Sequence, residues 1–249
     1  MKISYQHHAS VHSLMGPRAA LPHILSGINC RSILDVGCGI GTWLAAASEL
    51  SISDVIGIDG VSIADEQLMF PKSGFQQVDL EKQFDLHRSF DLVLCLEVAE
   101  HLSEESAPVL IDNLTRHSEI IVFSAACPGQ NGQHHVNCQW PEYWQVMFNE
   151  RGFSCSDAIR WRIWDNQEIE PWYRQNIFIA KRTKFKVERD DKIKRVIHPD
   201  LLSFQQAGSA SALLDYHFVQ LSEGNQPLSW YLQLPFKGLM AKIAKKLSH

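Results

Sequence analysis

The chain has 249 residues, of which 45% are hydrophobic and 20% are charged, and its formal net charge is −5 at neutral pH. This composition is typical of a globular protein with a sizeable core, built as one large domain or as one domain with an appendage. The negative net charge excludes a global basic field that would attract nucleic acid or an anionic membrane surface.

The cysteine pattern bears on the compartment in which the protein works. Six cysteines occur without a C-x-x-C pair, and they are Cys30, Cys38, Cys95, Cys127, Cys138 and Cys155. Because several of them lie inside apolar runs, we predict reduced, buried thiols. The first residues lack the apolar stretch of a signal peptide, and no apolar run approaches the ~20 residues of a membrane span. We therefore expect a cytoplasmic protein with no transmembrane segment.

Short apolar runs alternate with helix-compatible stretches along the first half of the chain. Strands are predicted at 32–36, 55–58, 75–78, 90–96 and 119–124, with helices near 17–27, 42–51, 62–70 and 103–116. Such alternation indicates a parallel sheet that is covered by helices on both faces. Ser103 suits the N-cap of the fourth helix, although Pro108 predicts that this helix starts late or bends.

The second half of the chain changes character at residue 183. A further helix is predicted to begin at Pro141 and to stop at Gly152, followed by strands at 155–164 and at 175–182, the latter close to a sheet edge. From 183 onward charged residues dominate, and the apolar positions of 237–247 fall on one helical face. We therefore predict a domain over 1–182 and a charged linker with a C-terminal helical extension over 183–249.

The segment "SILDVGCGIGTWL" (32–44) places Gly37, Gly39 and Gly41 directly after the first predicted strand. Glycines let the backbone turn sharply and approach a ligand closely, and the N–H groups of the following helix point at that ligand. This favours a nucleotide-like cofactor at the carboxyl end of the strand. The dinucleotide fingerprint needs a glycine where Thr42 stands, so the spacing disfavours a nicotinamide oxidoreductase.

At "ILDVGCGIGTW" the chain resembles the first motif of class I S-adenosylmethionine-dependent methyltransferases. Three further pieces occur in the order of that family, namely "VIGIDG", "FQQVDLEKQF" and "FDLVLCLEVAEHL". The segments "EVAEHL", "HHVNCQWPEYW" and "PWYRQN" are similar to those of small bacterial members. The resemblance covers roughly residues 28–182. It implies an α/β, Rossmann-like fold, a mostly parallel seven-stranded sheet with helices on both faces and a last antiparallel strand.

The resemblance also implies a cofactor, S-adenosyl-L-methionine, and the residues that hold it. They are Asp35, Gly37, Gly39, Gly41, Asp59, Asp79, Leu80 and Glu97. Asp59 would grip both ribose hydroxyls, since a carboxylate can accept two charge-assisted hydrogen bonds from a vicinal diol. Asp79 and Leu80 would recognise the adenine, and Asp35 would support the glycine loop or the cofactor ammonium. Two local alternatives stay open, in which Asp59 is a turn acid and Asp79 is a helix N-cap.

Methyl transfer to an alcohol or phenol benefits from a general base, for which His101, His134 and His135 are the candidates. Both histidine segments follow predicted strands and should border one cleft, but each histidine could instead pack or stabilise its own loop. Little sequence is left for a lid over the acceptor. We therefore expect a small-molecule or sugar-containing acceptor, methylated on oxygen or, second, on nitrogen.

Two alternatives stay open. The first is a metal site, because a helical turn would place Glu97, Glu100 and His101 on one face. Together with a histidine of "HHVN", these residues resemble the metal site of methyltransferases that act on the 3′-end ribose of small RNAs. The later histidine comes sooner than in that group, and E-V-x-E-H also occurs in methyltransferases that bind no metal, so we expect no metal ion. Because the chain lacks a basic stripe for RNA, we expect no nucleic-acid partner. In the other alternative the fold is a non-catalytic, cofactor-binding scaffold that makes contacts through 183–249.

Overall fold

The computed structural model describes residues 13–184 and 191–204, and within them seven strands form one sheet. The strands are β1 (Ser32–Val36), β2 (Asp54–Asp59), β3 (Phe75–Gln77), β4 (Leu92–Leu96), β5 (Ile120–Ser124), β6 (Phe153–Ser156) and β7 (Phe178–Arg182). Their order is β3-β2-β1-β4-β5-β7-β6. All neighbours pair in parallel except β7, which is antiparallel to both β5 and β6. The predicted fold class is confirmed.

Helices cover both faces of the sheet. They are α1 (Met15–Ile24), α2 (Thr42–Glu49), α3 (Ala107–His117), α4 (Pro141–Glu150), α5 (Ala158–Ile163) and α6 (Pro171–Asn176). Apolar residues of α3 and α4 belong to one core cluster, and those of α1, α2 and α5 belong to a second cluster. Ile33 and Leu34, neighbours in β1, face different clusters, as expected for a strand that is buried on both sides.

One predicted helix is wrong in type, and another is shorter than its predicted range. Residues 62–70 form no α-helix but a single 3₁₀ turn, Asp65–Gln67. The Met69 N–H donates to the Ile40 carbonyl at 2.9 Å, so this segment lies against the loop after β1 instead of following a helical path. The helix predicted at 103–116 starts at Ala107, which confirms the late start predicted from Pro108. The N-cap prediction is wrong, because Ser103 precedes a 3₁₀ turn over Glu104–Ser106 and Ser106 stands at the N-cap of the helix.

The end of the sheet also differs from the prediction. The strand predicted at 155–164 ends at Ser156 and is followed by α5, because Ile159 and Ile163 are spaced to bury one helical face. The strand predicted at 175–182 begins later, at Phe178, and it lies next to the last strand of the sheet, close to an edge as predicted. The edge position belongs to β6.

The last part of the described chain continues beyond β7. Residues 191–201 belong to the same compact unit as the sheet, and Ile193 and Leu201 are buried. The predicted C-terminal helix at 237–247 and part of the predicted charged linker lie outside the described residues. Within 13–184 and 191–204, no helix is long and apolar enough to cross a membrane.

Candidate active site

The glycine segment forms the bend between β1 and α2. Gly37, Gly39 and Gly41 have φ angles of +79°, +52° and +85°, a left-handed region that other residues rarely adopt. The Gly37 N–H donates to the carbonyl of Ile58 at 2.8 Å, which ties the bend to the end of β2. A Cβ atom added to Gly37 would lie 2.3 Å from Val98 Cγ2. Both the backbone conformation and close packing therefore require glycine at position 37.

Asp59 ends β2 beside this bend. Its Oδ2 accepts a hydrogen bond from the Gly39 N–H at 2.8 Å, and its Oδ1 accepts one from the Val61 N–H at 2.9 Å. A carboxylate has about four acceptor positions, so both oxygens can accept further hydrogen bonds. The contact with Val61 also fits the alternative of a turn acid, because it reaches the residue two positions later.

Asp35 lies in the middle of the sheet, in register with Gly57 of β2 and Leu94 of β4. It is 2% exposed, and among the described residues no group donates a hydrogen bond to its Oδ2. Burial and then the negative charge of Asp59 raise the pKa of Asp35 to about 8. A cation placed against this carboxyl group would favour its ionised form, which fits the predicted contact with the cofactor ammonium.

Asp79 and Leu80 follow β3 and differ in burial. Asp79 is exposed, lies 2.8 Å from Lys82 Nζ and accepts a hydrogen bond from the Glu81 N–H at 3.2 Å. The hydrogen bond with Lys82 lowers the pKa of Asp79. Leu80 is buried in the core. The adenine contact of both residues stays a prediction.

Glu97 follows β4 directly and has a φ angle of +55°, a strained conformation for a residue with a side chain. Its carboxylate accepts hydrogen bonds from the side-chain amides of Asn176, at 3.1 and 3.3 Å, and Gln130, at 2.9 Å. Its backbone N–H donates to Ser124 Oγ at 3.1 Å. Burial raises the pKa of Glu97, while hydrogen bonds from Asn176, Ser124 and Gln130 oppose the rise. The carboxylate is thus held in one place at the carboxyl end of β4.

Glu100, His101 and His135 form a cluster near Glu97, and their possible ligand atoms all lie within 4.8 Å of one another. The ring centroids of His101 and His135 are 4.9 Å apart. Glu100 is fully buried, and in the described part of the chain neither of its carboxylate oxygens accepts a hydrogen bond of ordinary geometry. Burial and then the like charge of Glu97 raise the pKa of Glu100. Burial and then the neighbouring His135 lower the pKa of His101 to about 4.

The helical turn predicted through Glu97, Glu100 and His101 is wrong in its extent. Only Ala99–His101 forms a 3₁₀ turn, and Glu97 stands outside it in the left-handed region. The cluster nevertheless forms because the loop after β5 folds back. The backbone N–H groups of Val136 and Asn137 donate to the Glu100 carbonyl at 2.8 and 3.0 Å.

The paired histidines lie in different environments. His135 is partly buried, and its Nδ1 lies 2.9 Å from the Gln130 carbonyl oxygen. Because a carbonyl only accepts, this contact places the proton of a neutral ring on Nδ1 and the lone pair on Nε2. His134 is exposed and has a φ angle of +55°. Of the two, the structure joins His135 to Glu100 and His101.

Sequence reasoning missed the two side chains that hold Glu97. Asn176 lies in the "PWYRQN" segment, whose place before the last strand was an available signal. Gln130 lies in the loop after β5 and carries no such signal. The hydrogen bonds that join them to Glu97 span 79 and 33 residues.

Comparison with known families identifies the family to which the chain belongs. The family model described as a methyltransferase domain matches residues 6–169, well over half of the chain. The chain belongs to this methyltransferase family. Membership and the Rossmann-like sheet confirm the prediction of an S-adenosylmethionine-dependent methyltransferase. A comparison with curated proteins finds no match.

Solved structures similar to this methyltransferase include DesVI of Streptomyces venezuelae, with 15% identity and a TM-score of 0.53 over 72% of this chain and 100% of that chain. The sugar N-methyltransferase KedS8 of a Streptoalloteichus species has 16% identity and a TM-score of 0.54 over 74% and 98%. CalS10 of Micromonospora echinaspora, an amino pentose methyltransferase with bound S-adenosylmethionine, has 15% identity and a TM-score of 0.53 over 74% and 99%. At these identities the similarity shows the fold alone.

Proposed function

We propose that this methyltransferase transfers the methyl group of S-adenosylmethionine to an oxygen, or second to a nitrogen, of a small-molecule or sugar-containing acceptor. The observation that carries the proposal is the contact between the loops after β1 and β4. Gly37 packs against Val98, the residue that follows Glu97. In open α/β sheets, ligands bind at the carboxyl ends of the strands where the strand order reverses, which here is the boundary between β1 and β4.

The residues around this boundary suit each part of the cofactor. Asp59 accepts from the ribose hydroxyls with the acceptor positions that Gly39 and Val61 leave free. Asp35 is a buried carboxyl group for the ammonium group, and the glycine bend offers backbone groups rather than a phosphate cradle. Asp79 and Leu80, after β3, serve the adenine.

His135 is the residue we assign as general base. Its Nδ1–H is held by Gln130, so the lone pair on Nε2 is available to take the proton of an acceptor hydroxyl as the methyl group is transferred. In-line displacement at the sulfonium needs close alignment of the nucleophile, which supplies much of the rate. His101 and His134 then serve the structure of the cluster and of the loop.

A compact acceptor fits the chemistry of the chain better than a polyanion does. The net charge of −5 gives no field that would draw nucleic acid to the site. Two structural neighbours, KedS8 and CalS10, are described as a sugar N-methyltransferase and an amino pentose methyltransferase. The fold that this chain shares with them is therefore compatible with a sugar-containing acceptor, which the assay below tests.

The test uses His135→Asn, because the asparagine amide can still donate to the Gln130 carbonyl while the Nε2 base is lost. Production of S-adenosylhomocysteine is measured with the small-molecule fraction of a cell extract, and binding of S-adenosylmethionine is measured by calorimetry. We expect turnover to fall by about 10²- to 10⁴-fold, the contribution of a general base, with cofactor affinity nearly unchanged. His134→Asn is the matched control and should keep its turnover.

The same assay decides between the alternatives. Equal losses of turnover and affinity in His135→Asn would give this histidine a structural role. Wild type that binds the cofactor but forms no product with any cell fraction would support the scaffold. Product formed only with the RNA fraction would overturn the small-molecule acceptor.

The cluster of Glu100, His101 and His135 favours a second candidate, a metal-assisted O-methyltransferase. Two imidazoles and one carboxylate form a donor set that suits Mn²⁺, Co²⁺ or Fe²⁺. The buried Glu100 carboxylate, without ordinary hydrogen bonds from the described residues, fits a cation ligand. A divalent cation held there would act as a Lewis acid on an acceptor hydroxyl.

Elemental analysis after mild purification tests this candidate. The metal-assisted candidate is supported if wild type contains one stoichiometric metal ion and Glu100→Gln loses it. Metal-free protein that turns over at the same rate with and without added Mn²⁺, Co²⁺ or Fe²⁺ would reject it. Glu104→Gln, an exposed neighbour on the next turn, is the control and should leave metal content unchanged.

A further inference from the structure

Residues 191–201, here called the strap, are fastened to the domain by buried side chains. Gln145 of α4 makes two hydrogen bonds to it, from Nε2 to the Asp191 carbonyl and from the Ile193 N–H to Oε1, each at 3.0 Å. Arg160 of α5 donates to the Lys194 carbonyl at 3.1 Å. The strap is therefore held by backbone contacts as well as by the burial of Ile193.

The other end of the strap is held at α6. The His198 ring lies 4.3 Å from the Trp164 ring, centroid to centroid, and its Nε2 is 2.8 Å from the Trp164 carbonyl. Arg174, which is 3% exposed, forms an ion pair with Asp200 at 2.9 Å. The backbone N–H of His198 donates to Gln175 Oε1 at 2.8 Å.

From Gln175 a series of hydrogen bonds runs to the candidate active site. Gln175 Nε2 donates to Asn176 Oδ1 at 3.0 Å, and Asn176 Nδ2 donates to the Glu97 carboxylate at 3.1 Å and to Gln130 Oε1 at 2.9 Å. Gln175 Nε2 also lies 3.2 Å from Cys127 Sγ. Gln175 and Asn176 are 1% and 4% exposed. Water therefore competes little for these bonds.

The two ends of this series determine how both amide groups are oriented. The His198 backbone N–H can only donate, so Gln175 presents its oxygen to the strap and its NH₂ group to Asn176. Asn176 then presents its oxygen to Gln175 and its NH₂ group to Glu97, because Asn176 Nδ2 lies 3.1 and 3.3 Å from the two acceptor oxygens of that carboxyl group. No amide in the series can be reversed without a clash between two acceptors.

We infer that Gln175 and Asn176 are positioning residues through which the strap sets the place of the Glu97 carboxylate. The inference rests on the proposed function only in giving Glu97 a place in the cofactor site. The same connection reaches His135 through Gln130. The Gln130 side chain accepts a hydrogen bond from Asn176 and donates one to Glu97, and its backbone carbonyl accepts one from the His135 ring. The strap, which lies beyond the last strand, thus acts on both Glu97 and His135 without touching substrate.

The test compares Gln175→Glu with Gln145→Glu in the full-length protein. Both changes replace a buried amide with a carboxylate, keep an oxygen for a strap N–H and remove one donor. Only Gln175 leads on to Asn176 and Glu97. We expect comparable falls in melting temperature in the two variants. The dissociation constant for S-adenosylmethionine should rise at least about tenfold in Gln175→Glu, the effect of losing one hydrogen bond to a charged group, and stay nearly unchanged in Gln145→Glu.

Equal weakening of cofactor binding in both variants would show that the strap contributes only general stability, and unchanged binding in Gln175→Glu would refute the positioning role. A second arm needs no cofactor. In Gln175→Glu, Asn176 must turn its NH₂ group toward position 175 and its oxygen toward Glu97, and Glu97→Gln then supplies a donor for that oxygen. The double variant should melt at a higher temperature than the two single losses predict by addition.

Additive losses in that thermal cycle would overturn the connection between residues 175 and 97. If wild type itself fails to bind S-adenosylmethionine, the proposed function falls, while the thermal cycle still decides whether the connection exists.

Discussion

Gly37→Ala tests whether the bend after β1 is specified by close packing as well as by backbone conformation. The added Cβ atom would lie 2.3 and 2.8 Å from the two Cγ atoms of Val98, well inside van der Waals contact. Val98 is 7% exposed and belongs to the core cluster, so it has little room to move. The left-handed φ of +79° costs an alanine about 1–2 kcal/mol, and overpacking costs about 1–3 kcal/mol more.

We therefore expect Gly37→Ala to lower the free energy of unfolding by about 2–5 kcal/mol, measured by urea denaturation of the cofactor-free protein. Gly129→Ala is the matched control, because Gly129 has a φ of +87° but no atom within 4 Å of an added Cβ. It should lose about 1–2 kcal/mol, the conformational part alone. Equal losses in the two variants would refute the packing argument.

Two further predictions concern buried charge. Because Asp35 has a folded-state pKa of about 8 against an ordinary value of 3.8, it stabilises the fold at low pH, and this contribution is lost as the pH rises toward 8. The unfolding free energy of Asp35→Asn relative to wild type should therefore rise by about 1.4 kcal/mol per pH unit between about pH 4 and 8, measured by urea denaturation in the absence of cofactor; a flat difference would contradict this. Asp157 pairs at 2.9 Å with Arg160, which is fully buried, so Asp157→Ala should cost about 3–5 kcal/mol in thermal or urea unfolding, because it leaves a buried guanidinium uncompensated. Asp54→Ala, which breaks an exposed pair with Arg88, is the control and should cost about 1 kcal/mol or less; similar losses in both would contradict the role of burial.

The parts of the site that the sequence predicted are those with a local cause. A strand, a glycine bend and a helix follow one another along the chain, and Asp59 is the last residue of the next strand. Parallel pairing of β1 with β2 then brings Asp59 to the bend without further information. Motif and topology together therefore predict this half of the site.

The parts that could not be predicted depend on contacts between distant segments. Leu68, Met69 and Phe70 look like the apolar end of a helix, but Phe70 is needed beneath the bend, where a Cβ on Gly41 would lie 2.1 Å from its ring. Asn176 likewise contacts Glu97, 79 residues earlier in the chain, only because α6 packs beside β5. No spacing rule along the sequence gives such contacts.

The central claim is that Asp59 and the glycine bend hold S-adenosylmethionine, and calorimetry of wild type and Asp59→Ala tests it most directly. Two backbone N–H groups already orient the carboxylate, which leaves acceptor positions for the two ribose hydroxyls. Asp54→Ala, at the opposite end of β2, is the control for changes in fold stability.

We predict that wild type binds S-adenosylmethionine and not NADH. Asp59→Ala should lose about 1.5–3 kcal/mol of binding free energy, a roughly 10- to 150-fold weaker affinity, while Asp54→Ala binds as wild type does. Binding of NADH without S-adenosylmethionine, or unchanged S-adenosylmethionine affinity in Asp59→Ala, would contradict the account.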